Sequence, residues 1–168
     1  MKLFQSGANV TLVGNWRNIA AMDYAQFLSM VDHQWFCTFT FKSPTHPETA
    51  DKAFKHFVNL INRDQFGKRW KKKREGGMCW VRALEWQKRG VIHYHALISG
   101  LRKSSSQVAR QAEYLWNEEL GNGFARIDLI RGDQIKASAY CSKYVTKGGE
   151  LDFSDNYANH DQIRLPII

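Results

Sequence analysis

The stretch that decides the fold is Glu85-Trp86-Gln87-Lys88-Arg89-Gly90-Val91-Ile92-His93-Tyr94-His95. It connects two mostly apolar segments, residues 78–87 and 91–98, through a short polar link. Two such segments around a short link containing glycine are typical of a β-hairpin. His93 and His95 stand two positions apart, so a strand directs both side chains to the same face. The stretch therefore predicts an antiparallel pair that carries two neighbouring imidazoles.

The position of Glu85 depends on the length of the hairpin loop, because residues that oppose each other share a face. A three-residue loop, Lys88-Arg89-Gly90, sets Glu85 across from His93 and uses Gly90 where a left-handed residue is required. A two- or four-residue loop would turn Glu85 to the other face. With His95, these side chains could hold one divalent ion and leave positions open for a substrate. The other interpretation is that the histidines are ordinary strand residues.

The segments on either side predict the order β-α-β-β-α-β-α. Hairpins and returning helices in this order indicate an α+β fold, similar to ferredoxin-like folds, with a central antiparallel sheet and flanking helices. We expect one domain over residues 1–168, with an N-terminal helical extension at about 1–32 and a C-terminal tail at about 149–168. Outside the hairpin, the predicted elements are a helix within 17–31, a strand at 35–41, a helix from Pro47 that ends before Gly67, a helix capped by Ser105 or Ser106 that ends at Gly121-Asn122-Gly123, a strand at about 124–130, and a helix from an Asp133 cap to Lys147.

The composition fits a globular protein with an acidic partner. Hydrophobic residues make up 43% of the 168 positions, and 24 Lys and Arg against 16 Asp and Glu give a formal charge of +8. Such a charge favours nucleic acid over a small neutral substrate. Cys37, Cys79 and Cys141 are widely spaced, which argues against a disulfide framework. Since no signal peptide or membrane span is visible, we expect a cytoplasmic protein with no membrane partner.

The last predicted helix brings tyrosines and lysines to one edge. At about 100° per residue, Tyr140, Tyr144 and Lys147 lie within a sector of about 60°, with Lys136 and Lys143 close beside it. A phenol has a pKa of about 10, so a nucleophilic tyrosine needs cations nearby to become ionised at neutral pH. Solvated lysines beside two ordinary tyrosines are the alternative. The opposite face, predicted to pack on the sheet, consists of Ile135, Ala139, Ser142 and Val145.

A basic run precedes the hairpin and is a candidate for DNA contact. It could follow a phosphate backbone and stack a base on its tryptophan, and Lys136 could contact DNA as well. A solvated lysine loop explains the run equally well. Its residues are Lys68, Arg69, Trp70, Lys71, Lys72, Lys73 and Arg74.

Three elements in order resemble the HUH endonuclease superfamily, specifically the rolling-circle replication initiators (Rep proteins) of phages and plasmids. They are the strand ending Phe39-Thr40-Phe41, the motif His93-Tyr94-His95 with Glu85 upstream, and Tyr140-Cys141-Ser142-Lys143-Tyr144-Val145-Thr146-Lys147. The resemblance covers residues 35–147. It implies a single-stranded or hairpin DNA origin as substrate and a separate helicase as partner.

The resemblance also implies roles for individual residues. Glu85, His93 and His95 would bind Mn²⁺ or Mg²⁺, and Tyr140 would attack the phosphate to give a 5′-phosphotyrosine and a free 3′-hydroxyl. Lys143 matches the lysine of a Tyr-x-x-Lys motif. The pattern Tyr-x-x-x-Tyr-x-x-Lys is matched as well, with Tyr144 and Lys147 as its second tyrosine and its lysine. Mechanisms with one and with two tyrosines therefore both remain open.

Three alternatives remain at this stage. A single-tyrosine HUH transposase shares the same active-site chemistry. A ferredoxin-like nucleic-acid-binding module without catalysis would explain the charge and the order of elements, but it gives the Glu85 and histidine set no joint role. A structural zinc site could combine the histidines with Cys79 or Cys141.

Overall fold

The computed structural model describes residues 23–73, 76–132, 134–143 and 151–157. Within these residues the centre of the fold is a five-stranded sheet in which all neighbouring strands are antiparallel. The spatial order is β4-β1-β3-β2-β5. The predicted α+β class with a ferredoxin-like order is confirmed. The strands are β1 (His33–Phe41), β2 (Cys79–Trp86), β3 (Ile92–Ser99), β4 (Gly123–Leu129) and β5 (Leu151–Phe153).

The helices begin where the sequence predicts, as far as their starts are described. His46 caps α2 by accepting a hydrogen bond from the backbone N–H of Glu48, and Pro47 fills the first turn. Ser105 caps α3 by accepting from Val108. The Asp133 cap lies outside the described residues. The helices are α1 (residues 23–29), α2 (Pro47–Phe66), α3 (Ser106–Tyr114), which continues into a π-helical turn at Leu115–Glu119, and α4 (Gln134–Ser142).

Strand β1 divides the molecule into two layers. Its odd-numbered residues from Trp35 to Phe41 are buried. They pack toward α2, where the rings of Phe39 and Phe57 lie 5.1 Å apart, and toward Trp116, whose ring lies 4.8 Å from that of Phe39. Burying each large side chain stabilises the fold by about 1.5–3 kcal/mol, so this aromatic layer anchors β1. The even-numbered residues face the opposite side of the sheet.

Helix α4 packs over β3 and β2 on that opposite side, and the predicted packing face of this helix is wrong. Ile135 is 64% exposed and Ala139 is exposed as well, whereas the buried residues of α4 are Ser138, Cys141 and Ser142. The thiol of Cys141 donates to the backbone carbonyl of His95 at 3.9 Å. Such a close approach to the sheet leaves room only for small side chains. Of the predicted packing face, Ser142 is buried as expected, and Val145 lies outside the described residues.

Strand β5 falls in the segment that the sequence treats as a tail. It pairs with β2, with Val81 opposite Phe153 and Ala83 opposite Leu151. Arg82, whose side chain is 7% exposed, forms ion pairs with Asp152 of β5 at 2.7 Å and with Asp51 of α2. Burial opposes ionisation of Asp51, but hydrogen bonds from Arg82 and Lys55 outweigh it and lower the pKa of that carboxyl. One buried guanidinium thus connects β2, β5 and α2.

None of the helices in the described ranges combines the length and the apolar character that crossing a membrane requires.

Candidate functional site

The hairpin has the register that the three-residue loop predicts. Glu85 is paired directly with His93 across β2 and β3. Gln87 donates its backbone N–H to Val91 at 3.0 Å, and Gly90 has a φ of 72°. Glu85 therefore shares one face of the sheet with both histidines, as expected.

A carboxylate and two imidazoles meet on this face. Oε2 of Glu85 lies 3.2 Å from Nε2 of His95. The rings of His93 and His95 have centroids 4.7 Å apart. His95 is buried, at 4% exposure, while Glu85 and His93 are half-buried. Because a carboxylate can only accept, the contact has His95 donating its Nε2–H.

Two threonines of β1 contact the far nitrogens of the imidazoles. Thr38 Oγ1 lies 3.4 Å from Nδ1 of His95, and Thr40 Oγ1 lies 3.1 Å from Nδ1 of His93. A hydroxyl can donate or accept, so it accommodates either tautomer of its histidine. Sequence reasoning missed this role. The signal was available, since the threonines alternate with the apolar core residues of β1 and must face away from the core.

A third polar group approaches His93 from the hairpin loop. Nε2 of Gln87 lies 2.8 Å from Nδ1 of His93. Arg89 donates its Nε–H to Oε1 of the same amide at 3.0 Å, which fixes the direction in which the amide points. An amide nitrogen donates, so Nδ1 of His93 accepts and the ring proton resides on Nε2. The sequence analysis did not identify Gln87 as a site residue.

The predicted metal ligands form a pair with a neighbour rather than a closed cluster. Within the described ranges, no three side chains of His, Cys, Asp or Glu are grouped as they would be around a metal ion. The 3.2 Å between Glu85 Oε2 and His95 Nε2 is close to the roughly 3 Å that separates adjacent ligand atoms with bonds of about 2.1 Å. These two donors fit a divalent ion in chemistry and spacing. His93 lies beside them with Nδ1 engaged by Thr40 and Gln87.

The imidazoles are neutral at physiological pH. Burial lowers the pKa of His95 to about 4, although Glu85 acts in the opposite direction. Burial also lowers the pKa of His93 below its usual value, again against the effect of Glu85. A neutral imidazole is the form that binds metal ions.

Tyr140 of α4 lies beside the buried imidazole. Its ring is edge-on to that of His95, with 5.7 Å between centroids, and edge-on to that of Phe36 at 5.1 Å. Tyr140 remains 43% exposed, so its phenol is accessible from solvent. Nζ of Lys143 lies 4.8 Å from the centroid of the Tyr140 ring. The fold thus brings a tyrosine, a lysine and the Glu85–His95 pair to one place.

The remaining predicted site residues fall into two groups. Lys136 is exposed on α4, the helix of Tyr140. The basic run is not adjacent to the histidines, because Trp70 donates its indole N–H to Asn59 of α2 at 3.1 Å, on the other side of the sheet. Burying part of this indole against the core limits its use for stacking. Tyr144, Lys147 and Arg74 lie outside the described residues.

The buried thiols do not favour the zinc alternative. Burial raises the pKa of Cys79 and of Cys141 to about 12, so both stay protonated, whereas zinc binds the thiolate. Cys141 donates to a backbone carbonyl instead. The three cysteines are buried and form no disulfide, as expected.

Comparison with known proteins identifies the family. Residues 34–149 match the model of a family described as Replication-associated protein ORF2/gene 2 protein. The chain belongs to this family. No curated protein and no solved structure matches it significantly.

The matched segment includes the region from β1 through α4, and therefore every described residue of the site around His95. Membership of this replication-associated family confirms the prediction of a replication-associated protein, with a role in replication initiation and in DNA binding. Strand β5 lies past the matched residues.

Proposed function

We propose that the chain is a site-specific single-stranded DNA endonuclease and ligase that initiates rolling-circle replication through a covalent bond between Tyr140 and DNA. The observation that carries the proposal is the position of the Tyr140 ring 5.7 Å from the His95 ring, on the face that holds Glu85. A nucleophile beside a set of metal-binding side chains is what cleavage of a phosphodiester requires.

The reaction exchanges one phosphoester for another. The phenol oxygen of Tyr140 bonds to the phosphorus, the bond from phosphorus to the 3′ oxygen breaks, and the phenol proton is balanced by protonation of the released 3′-hydroxyl. The product is a 5′-phosphotyrosine, and the reverse attack by a 3′-hydroxyl rejoins DNA. Lys143 lies over the Tyr140 ring, so its ammonium group stabilises negative charge on the phenol oxygen.

The cofactor in this proposal is Mn²⁺ or Mg²⁺, held by Glu85, His93 and His95. When bound, the ion polarises the scissile phosphate. Two nitrogen ligands with one carboxylate suit Mn²⁺ better than the harder Mg²⁺. Thr38 and Thr40 orient the imidazoles through Nδ1, a role that neighbouring hydrogen-bond partners of metal-binding histidines commonly have.

The substrate in this proposal is an unpaired or hairpin origin, because the scissile phosphate has to reach both the edge of α4 and the histidine face. Duplex DNA restricts that approach. A separate helicase would supply the single strand.

Covalent trapping tests the proposal. The protein is incubated with Mn²⁺ and a pool of random single-stranded oligonucleotides, and a denaturing gel is read for a protein–DNA band. With a label at the 3′ end of the DNA, the label should move with the protein. With a label at the 5′ end, it should appear in a shortened fragment that a polymerase can extend. Binding without any covalent band would favour the non-catalytic module.

Variants identify the nucleophile. Tyr140→Phe should abolish the covalent band, whereas Tyr114→Phe, at an exposed tyrosine of α3, should leave it unchanged. A normal yield of adduct from Tyr140→Phe would exclude this residue as the nucleophile. Tyr144→Phe separates the two mechanisms, because a variant that nicks and rejoins normally indicates that one tyrosine suffices.

A further inference from the structure

The metal-binding face of the sheet continues past the histidines onto the edge strand β4. Strand register puts Thr40 opposite His93 on one side and opposite Phe124 on the other. One row across the sheet therefore contains Glu85, His93, Thr40 and Phe124. The next row contains Ala83, His95, Thr38 and Arg126.

The two β4 residues in these rows are open to solvent. Phe124 is 60% exposed, and the side chain of Arg126 is 68% exposed. Residues Ala125 and Ile127 between and after them are buried on the other face. The alternation of β4 thus directs an aromatic ring and a guanidinium to the side of the histidines.

Exposure of a phenylalanine there has no explanation in the packing of the described residues. An aromatic face beside a cation is the combination that binds single-stranded nucleic acid, since every base has a π-face and every nucleotide a phosphate. Arg126 pairs with Asp128 through Nε at 3.0 Å, an exposed contact of little energetic value that a phosphate can replace. The chain carries a formal charge of +8, which favours the same partner.

The distance suits a strand whose phosphate lies at the histidines. Strands are spaced about 4.8 Å apart, so Phe124 lies roughly 10 Å from His93, two strands away. An extended single strand covers that span with a few nucleotides. A base near the cleaved phosphate can therefore reach the ring of Phe124.

We propose that Phe124 and Arg126 form a nucleotide-binding shelf on β4, where Phe124 stacks a base of the single-stranded DNA and Arg126 binds a neighbouring phosphate. This inference rests on the proposed function for the direction of the DNA, but it concerns binding and not cleavage. It extends the interface to a strand that the sequence analysis did not connect with DNA.

The test compares oligothymidylate with an abasic oligodeoxyribose of the same length. Binding is measured by fluorescence anisotropy without divalent ions in a Tyr140→Phe background, so that no cleavage occurs. Phe124→Ala and Phe124→Leu should weaken binding of oligothymidylate by about 5- to 150-fold, the range that stacking of one base represents. Neither variant should change binding of the abasic strand. Phe124→Tyr should bind like the parent protein.

Tyr114→Ala is the matched control, because it removes an exposed aromatic ring from α3. Arg126→Gln should reduce the slope of log affinity against log salt by about one phosphate contact, on both strands. The proposal is overturned if Phe124→Leu retains full affinity, if Phe124→Ala behaves like Tyr114→Ala, or if the loss is equal on the abasic strand. Failure of covalent trapping with intact base-dependent binding would remove the proposed enzyme activity and leave the shelf.

Discussion

The phenol ring of Tyr140 meets the imidazole ring of His95 edge-on, with 5.7 Å between the two centroids. Phe36 of β1 contacts both rings, since it is stacked on His95 at 6.1 Å and edge-on to Tyr140 at 5.1 Å. The residue after Tyr140, Cys141, is hydrogen-bonded to the backbone of His95. Packing from two directions thus sets the distance between the proposed nucleophile and the metal-binding face.

Removal of the shared aromatic contact should slow cleavage without preventing metal binding. Phe36→Ala leaves Tyr140 less well positioned, and displacement of a reacting group by about 1 Å can cost about 100-fold in rate. We expect single-turnover formation of the covalent adduct to slow by about 10- to 100-fold at saturating DNA. Phe27→Ala, at a half-exposed ring on α1, is the control. Equal rates for the two variants would show that Phe36 does not position the tyrosine.

Gln87→Glu should increase the affinity for Mn²⁺. The amide of Gln87 donates to Nδ1 of His93 and so favours the tautomer with the proton on Nε2. A carboxylate accepts from Nδ1 instead, which leaves the Nε2 lone pair for a metal ion. We expect Mn²⁺ to bind about 10-fold more tightly, as measured by electron paramagnetic resonance on DNA-free protein.

The added negative charge needs its own control. Lys88→Gln changes the charge of the same loop by the same amount at an exposed position, without altering the partners of His93. It should increase Mn²⁺ affinity much less than Gln87→Glu does. If both variants bind Mn²⁺ equally well, the hydrogen bond from Gln87 has no part in setting the affinity.

Two glycines should differ in what an added methyl group costs. Gly90 has a φ of 72° and open space around the position of a Cβ, so Gly90→Ala should lower the free energy of unfolding by about 1–2 kcal/mol through the backbone alone. At Gly123, with a φ of 149°, a Cβ would lie 2.2 Å from the carbonyl oxygen of Thr40. Gly123→Ala should therefore cost about 1–3 kcal/mol more. Urea denaturation measures both, and equal losses would contradict the close approach of β4 to β1.

His95 should make stability depend on pH. Its pKa is about 4 in the folded protein and about 6.5 when unfolded, so the unfolded chain binds more protons between these values. Stability should be fully present above about pH 6.5 and decline as the pH falls toward about 4. His95→Gln should flatten this decline in urea titrations at several pH values. Parallel declines in the two proteins would mean that other groups cause the loss.

Local periodicity was sufficient to predict the hairpin and the position of β1. Alternation and a three-residue loop with one left-handed glycine fix the register, and the register fixes which side chains share a face with His93. The two threonines follow from the same alternation, once β1 is known to pair with β3. That pairing is a long-range contact, which the sequence order suggests but does not specify.

Two features could not be predicted from local pattern. Strand β5 has three residues, too few to show a period, and it is held by the ion pair of Asp152 with Arg82, two residues far apart in sequence. In α4, an apolar residue, Ile135, is exposed while Ser138 is buried, because the helix lies so close to the sheet that size outweighs hydrophobicity. Partners such as Gln87 depend on side-chain direction in a loop, which spacing does not determine.

The alternation of β1 has a consequence for how mutations in this strand should be tolerated. Substitutions at Cys37 or Phe39 disturb the aromatic core and would reduce the amount of protein that accumulates in a cell. Substitutions at Thr38 or Thr40 leave that core intact and would impair replication at normal abundance. A single strand thus alternates, residue by residue, between positions constrained by protein quality control and positions constrained by propagation of the replicon.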